Sequence, residues 1–99
     1  MTFNEYQDCQ RGDKLYFARI MPKFGYYEVH DVVMVNKYDD HCSVCETKTK
    51  QSFLFNVKED RIRPLFVDRD EALQYLKDEK KNNKDVKVYA TSEERGDKT

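Results

Sequence analysis

Two cysteines separated by two residues form the sharpest chemical motif in the sequence. Cys42 and Cys45 have the spacing at which two thiolates can hold one zinc ion, with His41, Cys9 or His30 as further ligands. A zinc site of this type usually has a second pair at regular spacing, and the sequence has none. The pair also falls in a β-type segment, where residues three apart face opposite sides. We therefore expect two ordinary strand cysteines and a protein that binds neither a metal nor a cofactor. A small zinc-binding protein is the alternative.

The only histidines, His30 and His41, offer no catalytic constellation. A general base needs an orienting acid and a nucleophile within reach. Asp31 and Asp40 are sequence neighbours of the histidines, but adjacent strand residues point to opposite faces. The pattern predicts a protein that is not an enzyme, with His30 on a solvent-facing side of its strand.

Seven tyrosines and six phenylalanines exceed what a small core needs. The aromatics best placed for the core are Phe17, Tyr27, Phe53, Phe55 and Phe66. Four others lie in or near the first two strands and their turns, namely Tyr16, Phe24, Tyr26 and Tyr38. Because exposed aromatics mark interfaces, we predict that these four bind a partner, which could be a peptide, a methylated amine or a base.

Composition and charge narrow the range of partners. The 99 residues fit one domain, and a net charge of −1 shows no basic excess of the kind that duplex-binding proteins carry. Single-stranded nucleic acid is therefore an alternative partner, ranked below protein. No apolar run reaches the roughly 20 residues that span a membrane, and the N-terminus does not resemble a signal peptide. We expect a cytoplasmic protein without a disulfide framework.

Turn-separated segments of strand-forming residues precede one well-signalled helix. The predicted strands are Lys14–Met21, Tyr26–Asn36, His41–Thr47, Gln51–Val57, Ile62–Val67 and a short Val86–Ala90. Asp31 interrupts the alternation of Tyr27, Val29, Val33 and Val35, which predicts a bulge near it. Helices are predicted over residues 3–10 and 68–81, where Thr2 with Glu5 and Asp68 with Glu71 form capping boxes.

These elements predict an α+β, mainly β fold. We expect a small five-stranded antiparallel barrel or curled sheet, with a C-terminal helix and a short N-terminal helix. The Leu73 and Leu76 stripe of the second helix should pack over one open end or face. Residues 1–90 form a single domain in this interpretation, and residues 91–99 form a flexible tail. An exposed edge strand and a thin core are compatible with a homodimer.

The segments GDKLYF and LFVDRDEALQYLKDEK, with the strands between them, resemble small accessory proteins of bacteriophages and mobile elements. Those proteins often carry a Src-homology-3 or Tudor-type barrel that ends in a short strand and a helix. The resemblance covers residues 12–81 and concerns architecture, so it transfers no site residue. It implies a phage protein in the cytoplasm of a bacterial host. Its implied function is to bind and inhibit a host protein, with immunity nucleases among the candidates.

Overall fold

In the computed structural model, five antiparallel strands form a sheet that curls into half a barrel. The structure describes residues 1–57, 64–91, 93, 94 and 96. Its elements are α1 (Phe3–Asp8), β1 (Lys14–Met21), β2 (Tyr26–Lys37), β3 (His41–Glu46), β4 (Ser52–Asn56), β5 (Leu65–Phe66), α2 (Arg69–Lys80) and β6 (Lys87–Tyr89). The strand order is β4-β3-β2-β1-β5, and β6 pairs with the start of β2 in parallel. The predicted α+β, mainly β fold class is confirmed.

The ends of several elements differ from the sequence prediction. Within the described residues, the fifth strand shrinks to Leu65–Phe66, while residues 62 and 63 of its predicted span lie outside them. Of the predicted tail, 91–99, residues 92, 95 and 97–99 lie outside them, and the described Glu93 forms an ion pair with Lys48. Both helices of the described part are shorter than predicted, and neither has the length or apolar composition of a membrane-spanning helix.

The two helix starts are built differently. At α1 the predicted capping box is present: the Thr2 hydroxyl accepts a hydrogen bond from the Glu5 amide, and the Glu5 carboxylate accepts one from the Thr2 amide. At α2, Asp68 occupies the N-cap position, but its side chain makes no capping hydrogen bond to any described residue. The second capping box was therefore wrong. The acidic side chains of Asp70 and Glu71 still suit the positive end of the helix dipole.

The concave face of the curled sheet holds the main core. Leu15 and Phe17 of β1 face the same interior as Val32 of β2 and Val44 of β3. The Phe17 ring meets the rings of Phe53 and Phe55 on β4, with centroids 4.9 and 5.1 Å apart. Because β4 and β1 are not hydrogen-bonded neighbours, these ring contacts close the curl. Tyr6 and Cys9, from α1 and the loop after it, belong to the same cluster.

The convex face is covered only in part, by α2. Ala72 and Leu76 of the helix are fully buried in a second cluster that includes Tyr27 and Val29 of β2. The first half of β2 therefore buries both faces. Farther along the strand this cover ends, and Val35 is 44% exposed. The predicted assignment of Val35 to the apolar face was wrong because the helix does not reach it.

The irregularity of β2 also lies elsewhere than predicted. The register with β3 shifts between Met34 and Asn36, not near Asp31. Asp31 instead forms an ion pair with Arg69 at the start of α2. The ion pair compensates the partial burial of the Asp31 carboxylate, so the strand needs no bulge at this residue.

Candidate functional site

The hairpin formed by β1 and β2 extends beyond the rest of the half-barrel. β3 pairs with β2 only from Val32 onward, and β6 takes the same edge at Tyr26–Glu28. The turn is a 3₁₀ segment, Pro22–Phe24, followed by Gly25 with φ of +76°. That left-handed conformation favours glycine, and it lets the chain reverse tightly. The tip of the hairpin therefore projects Phe24 into solvent.

Three aromatic rings form a row at this end of the molecule. The Phe24 and Tyr26 centroids are 6.4 Å apart, and those of Tyr26 and Tyr89 are 6.2 Å apart. Phe24 is 69% exposed. Met21 lies directly opposite Tyr26 in the register and so shares its face of the sheet. We call Met21, Phe24, Tyr26 and Tyr89 the distal aromatic surface.

Three basic side chains lie near the distal aromatic surface, of which Lys23 and Lys87 are exposed and Arg19 is half-buried. Lys23 precedes Phe24 in the turn, and Lys87 is the register partner of Tyr26 on β6. The guanidinium of Arg19 lies 5.2 Å from the centroid of the Phe53 ring, on the concave side of the same hairpin. Apolar rings with a basic border suit a ligand that combines apolar groups with negative charge.

A cluster of three buried titratable side chains lies on the concave side of the sheet. The His30 ring lies between two carboxylates: Nε2 is 3.0 Å from Oε2 of Glu28, and Nδ1 is 3.1 Å from Oε2 of Glu46. All three residues are buried. Both contacts fall short of hydrogen-bond alignment. The prediction that His30 faces solvent was wrong, because the even-numbered positions of β2 point into the half-barrel.

Arg69 joins three elements on the convex side. Its guanidinium pairs with Asp31, donates a 2.7 Å hydrogen bond to the carbonyl oxygen of Ala90, and lies 4.8 Å from the Tyr16 ring centroid. A small cavity of about 140 Å³ lies beside it, where β2 changes its partner from β6 to β3. Tyr16, one of the predicted contact residues, is thus half-buried against Arg69 and lies apart from the distal aromatic surface.

Tyr38 lies at the opposite end of β2. It is 49% exposed, and its ring stacks on that of His41 with centroids 4.5 Å apart. The hydrogen bond from His41 Nδ1, 2.6 Å from Asp40 Oδ1, lowers the pKa of the Asp40 carboxyl group. Of the four predicted contact residues, the structure brings together only Phe24 and Tyr26.

Tyr89 is the contact residue that the sequence prediction missed. The alternation of Val86, Val88 and Ala90 places Tyr89 on the opposite face of a short strand. The alternation does not predict which strand this segment pairs with. In the structure it pairs in parallel with β2, and this places Tyr89 opposite Glu28.

No family model matches the sequence, and no curated protein or solved structure is significantly similar to it.

The cysteine motif is divided between the two faces of β3. Cys42 is fully buried in the concave core, and Cys45 is half-buried on the convex face. Burial raises the pKa of the Cys42 thiol to about 11, and the neighbouring Cys9 thiol adds to the shift. Burial likewise raises the pKa of Cys9. In the described part of the chain, no group of three or more His, Cys, Asp or Glu side chains is arranged to hold a metal ion.

Thiol labelling should distinguish these cysteines. At pH 8 the thiolate fraction of Cys42 is about one in a thousand, so an alkylating reagent should modify Cys45 first. We expect Cys42 and Cys9 to react only as the protein unfolds, and mass spectrometry of the native protein over time measures the order. In urea all three should react together. Equal rates in the native protein would contradict the placement of Cys42 in the core.

Proposed function

We propose that this chain is a non-enzymatic protein-binding module whose distal aromatic surface holds an apolar segment of a partner protein. The supporting observation is the row of rings near the hairpin tip: Phe24 is 69% exposed and lies beside Tyr26, and Tyr26 lies beside Tyr89. Clustered exposed aromatics are typical of interaction sites, where they contribute a large share of the binding energy.

The placement of the titratable side chains supports a non-catalytic role. Each ring nitrogen of His30 lies beside a carboxylate oxygen, of Glu28 or of Glu46, and the ring lines the small cavity next to Arg69 without a nucleophilic thiol among its described lining residues. The thiols of Cys42 and Cys9 are buried with raised pKa values, which keeps them protonated and poorly nucleophilic at neutral pH. His41 is engaged by the Tyr38 ring and by Asp40.

The border of lysines supports a particular partner chemistry. Lys23 and Lys87 favour an apolar segment flanked by acidic residues, since complementary charge speeds encounter and fixes orientation. The resemblance to phage accessory proteins makes a bacterial host protein, including an immunity nuclease, the first partner class to test. Inhibition of that protein and a cytoplasmic location belong to the same proposal.

A second candidate function is binding of single-stranded nucleic acid. The same row of rings could stack on bases, and Lys23 and Lys87 could contact phosphates. The net charge of −1 favours protein as the partner, because nucleic-acid binding depends on a basic surface.

A pull-down with matched variants tests the proposal. Tagged wild-type protein is incubated with bacterial lysate, with and without nuclease, beside Phe24→Ser and Leu54→Ser. Leu54 is 67% exposed on β4, outside the distal aromatic surface, and so controls for the loss of an exposed apolar side chain. We expect a stoichiometric protein partner that survives nuclease treatment, is retained by Leu54→Ser and is lost from Phe24→Ser. Circular dichroism and thermal melting verify that both variants fold.

The other outcomes are equally informative. A partner that is lost on nuclease treatment, or recovery of nucleic acid itself, would replace the protein-binding proposal with the nucleic-acid alternative. A partner retained by Phe24→Ser would remove the distal aromatic surface from the proposed site.

A further inference from the structure

A pocket of about 440 Å³ lies at the end of the molecule opposite to the hairpin tip. We call it the terminal pocket; it is lined by Phe3, Tyr6, Gln7, Lys37, Tyr38 and Asp39. Its volume falls within the range of clefts that hold small ligands, about 300–1,000 Å³, so it has room for one aromatic side chain. It lies between α1 and the turn from β2 to β3, and nothing in the proposed function uses it.

The walls of the terminal pocket are fixed by internal contacts. The Tyr6 hydroxyl lies against the carbonyl oxygens of Tyr38 and His41, at 2.8 Å from the latter. Burial raises the pKa of Tyr6 to about 12, so its hydroxyl keeps its proton at neutral pH. The Tyr38 ring is held by its stack on His41. A pocket formed in advance costs little ordering on binding.

The terminal pocket is lined by one cation, Lys37, and one carboxylate, Asp39. The Lys37 ammonium donates to the carbonyl oxygens of Gln7 and Cys9, at 2.9 and 2.7 Å, and lies 5.0 Å from the Tyr6 ring centroid. Its charge is thus directed at the C-terminal end of α1, where cations are favourable. Asp39 on the pocket wall is exposed to solvent. With Lys37 engaged by these contacts, the exposed Asp39 carboxylate is the pocket charge that a cation beside an inserted aromatic ring would meet.

The chain carries such a group at its other end. Phe24 is the most exposed of the large apolar side chains that the structure describes, and the exposed Lys23 precedes it. β2 runs for 12 residues from this tip to the terminal pocket. At about 3.4 Å per residue a strand of this length spans roughly 37 Å from its first to its last residue, so Phe24 does not reach the pocket of its own chain.

We propose that Phe24 of one copy inserts into the terminal pocket of a second copy, with Lys23 facing Asp39. The contact joins two different surfaces, so each added copy still presents one free tip and one free pocket. Such a heterologous contact produces open head-to-tail chains unless its rotation closes a ring. The inference extends the proposed function, because self-association and a partner protein compete for Phe24.

Sedimentation velocity of the purified protein tests the self-association. Because one side chain and one ion pair make a small interface, association should be weak and appear at high micromolar concentration. We expect the wild-type protein to sediment faster with increasing concentration. Phe24→Ser and Asp39→Lys should each lower the association constant by about tenfold or more. Leu54→Ser should sediment like the wild type.

Mixing the two variants is the decisive arm. Phe24→Ser keeps its pocket and Asp39→Lys keeps its tip, so each alone should stay monomeric, whereas their mixture should form a dimer and no larger species. In the mixture, the intact tip of Asp39→Lys docks in the intact pocket of Phe24→Ser, with Lys23 of the first facing Asp39 of the second. A wild type that remains monomeric at every concentration would overturn the inference, as would a mixture that remains monomeric.

The test also separates this inference from the proposed function. Asp39→Lys leaves the distal aromatic surface intact, so it should still capture a partner protein from lysate. Concentration-dependent association without any captured partner would support self-association and reject the protein-binding proposal. Capture of a partner by a protein that never self-associates would support the protein-binding proposal and reject self-association.

Discussion

Replacing His30 with leucine should lower the free energy of unfolding by about 3 kcal/mol. The substitution leaves the carboxylates of Glu28 and Glu46 buried without the ring that lies between them. Removing a buried polar side chain is costly because it takes away native contacts of the buried polar groups around it, at about 1–3 kcal/mol for each group affected. Urea denaturation at pH 7, followed by circular dichroism, measures the change from the shift of the midpoint.

A compensating variant identifies the cause of that loss. His30→Leu combined with Glu28→Gln and Glu46→Gln replaces both carboxyl groups as well as the ring, and it should recover much of the lost stability. If His30→Leu alone changed stability by less than about 0.5 kcal/mol, the value typical of surface positions, His30 would lie outside the core.

The wrong placement of His30 from sequence has a physical reason. Both faces of β2 carry apolar side chains, with Tyr27 and Val29 on one face and Val32 and Met34 on the other. Local alternation cannot decide which face a sheet turns inward when a helix covers part of the second face. That decision depends on where α2 docks, which is a long-range contact.

Replacing Phe17 with alanine should cost about 4 kcal/mol of stability. Its ring is 9% exposed and packs edge-on against Phe53 and Phe55, so its removal leaves a cavity where β4 curls over β1. A domain of this kind has a total stability of about 5–15 kcal/mol, so the loss should be visible as a large drop in the denaturation midpoint.

A matched control and a milder variant make this prediction specific. Leu54→Ala removes an exposed apolar side chain from the same β4 and should change stability by less than about 0.5 kcal/mol. Phe17→Leu keeps much of the volume and should cost less than the alanine variant. Equal effects of Phe17→Ala and Leu54→Ala would mean that the aromatic contacts do not close the half-barrel.

Local signals were sufficient for most of the fold. The limits of β1 were predicted correctly, because Gly12 on one side and the Pro22–Gly25 turn on the other bound a run of strand-forming residues. The α1 capping box was also readable, since it joins residues three apart. The parallel pairing of β6 was not, because a three-residue strand carries too little pattern to specify its neighbour.

The candidate site was only half predictable for the same reason. Phe24 and Tyr26 lie within three residues of one another, so their proximity follows from the turn itself. Tyr38 was grouped with them, yet the 12-residue length of β2 places it at the far end. Tyr89 reaches the surface through tertiary pairing alone. Residues that are close in sequence lie close in space when they share a turn, but residues at the two ends of one long strand lie far apart.

The affinity of the captured partner for matched variants is the most direct test of binding through the distal aromatic surface. Isothermal titration with the purified partner would compare wild type, Phe24→Ser, Tyr89→Ser and Leu54→Ser. We predict that Phe24→Ser and Tyr89→Ser each weaken binding by about tenfold or more, while Leu54→Ser binds like the wild type. Unchanged affinity for both aromatic variants, or an equal loss for Leu54→Ser, would contradict binding at this surface.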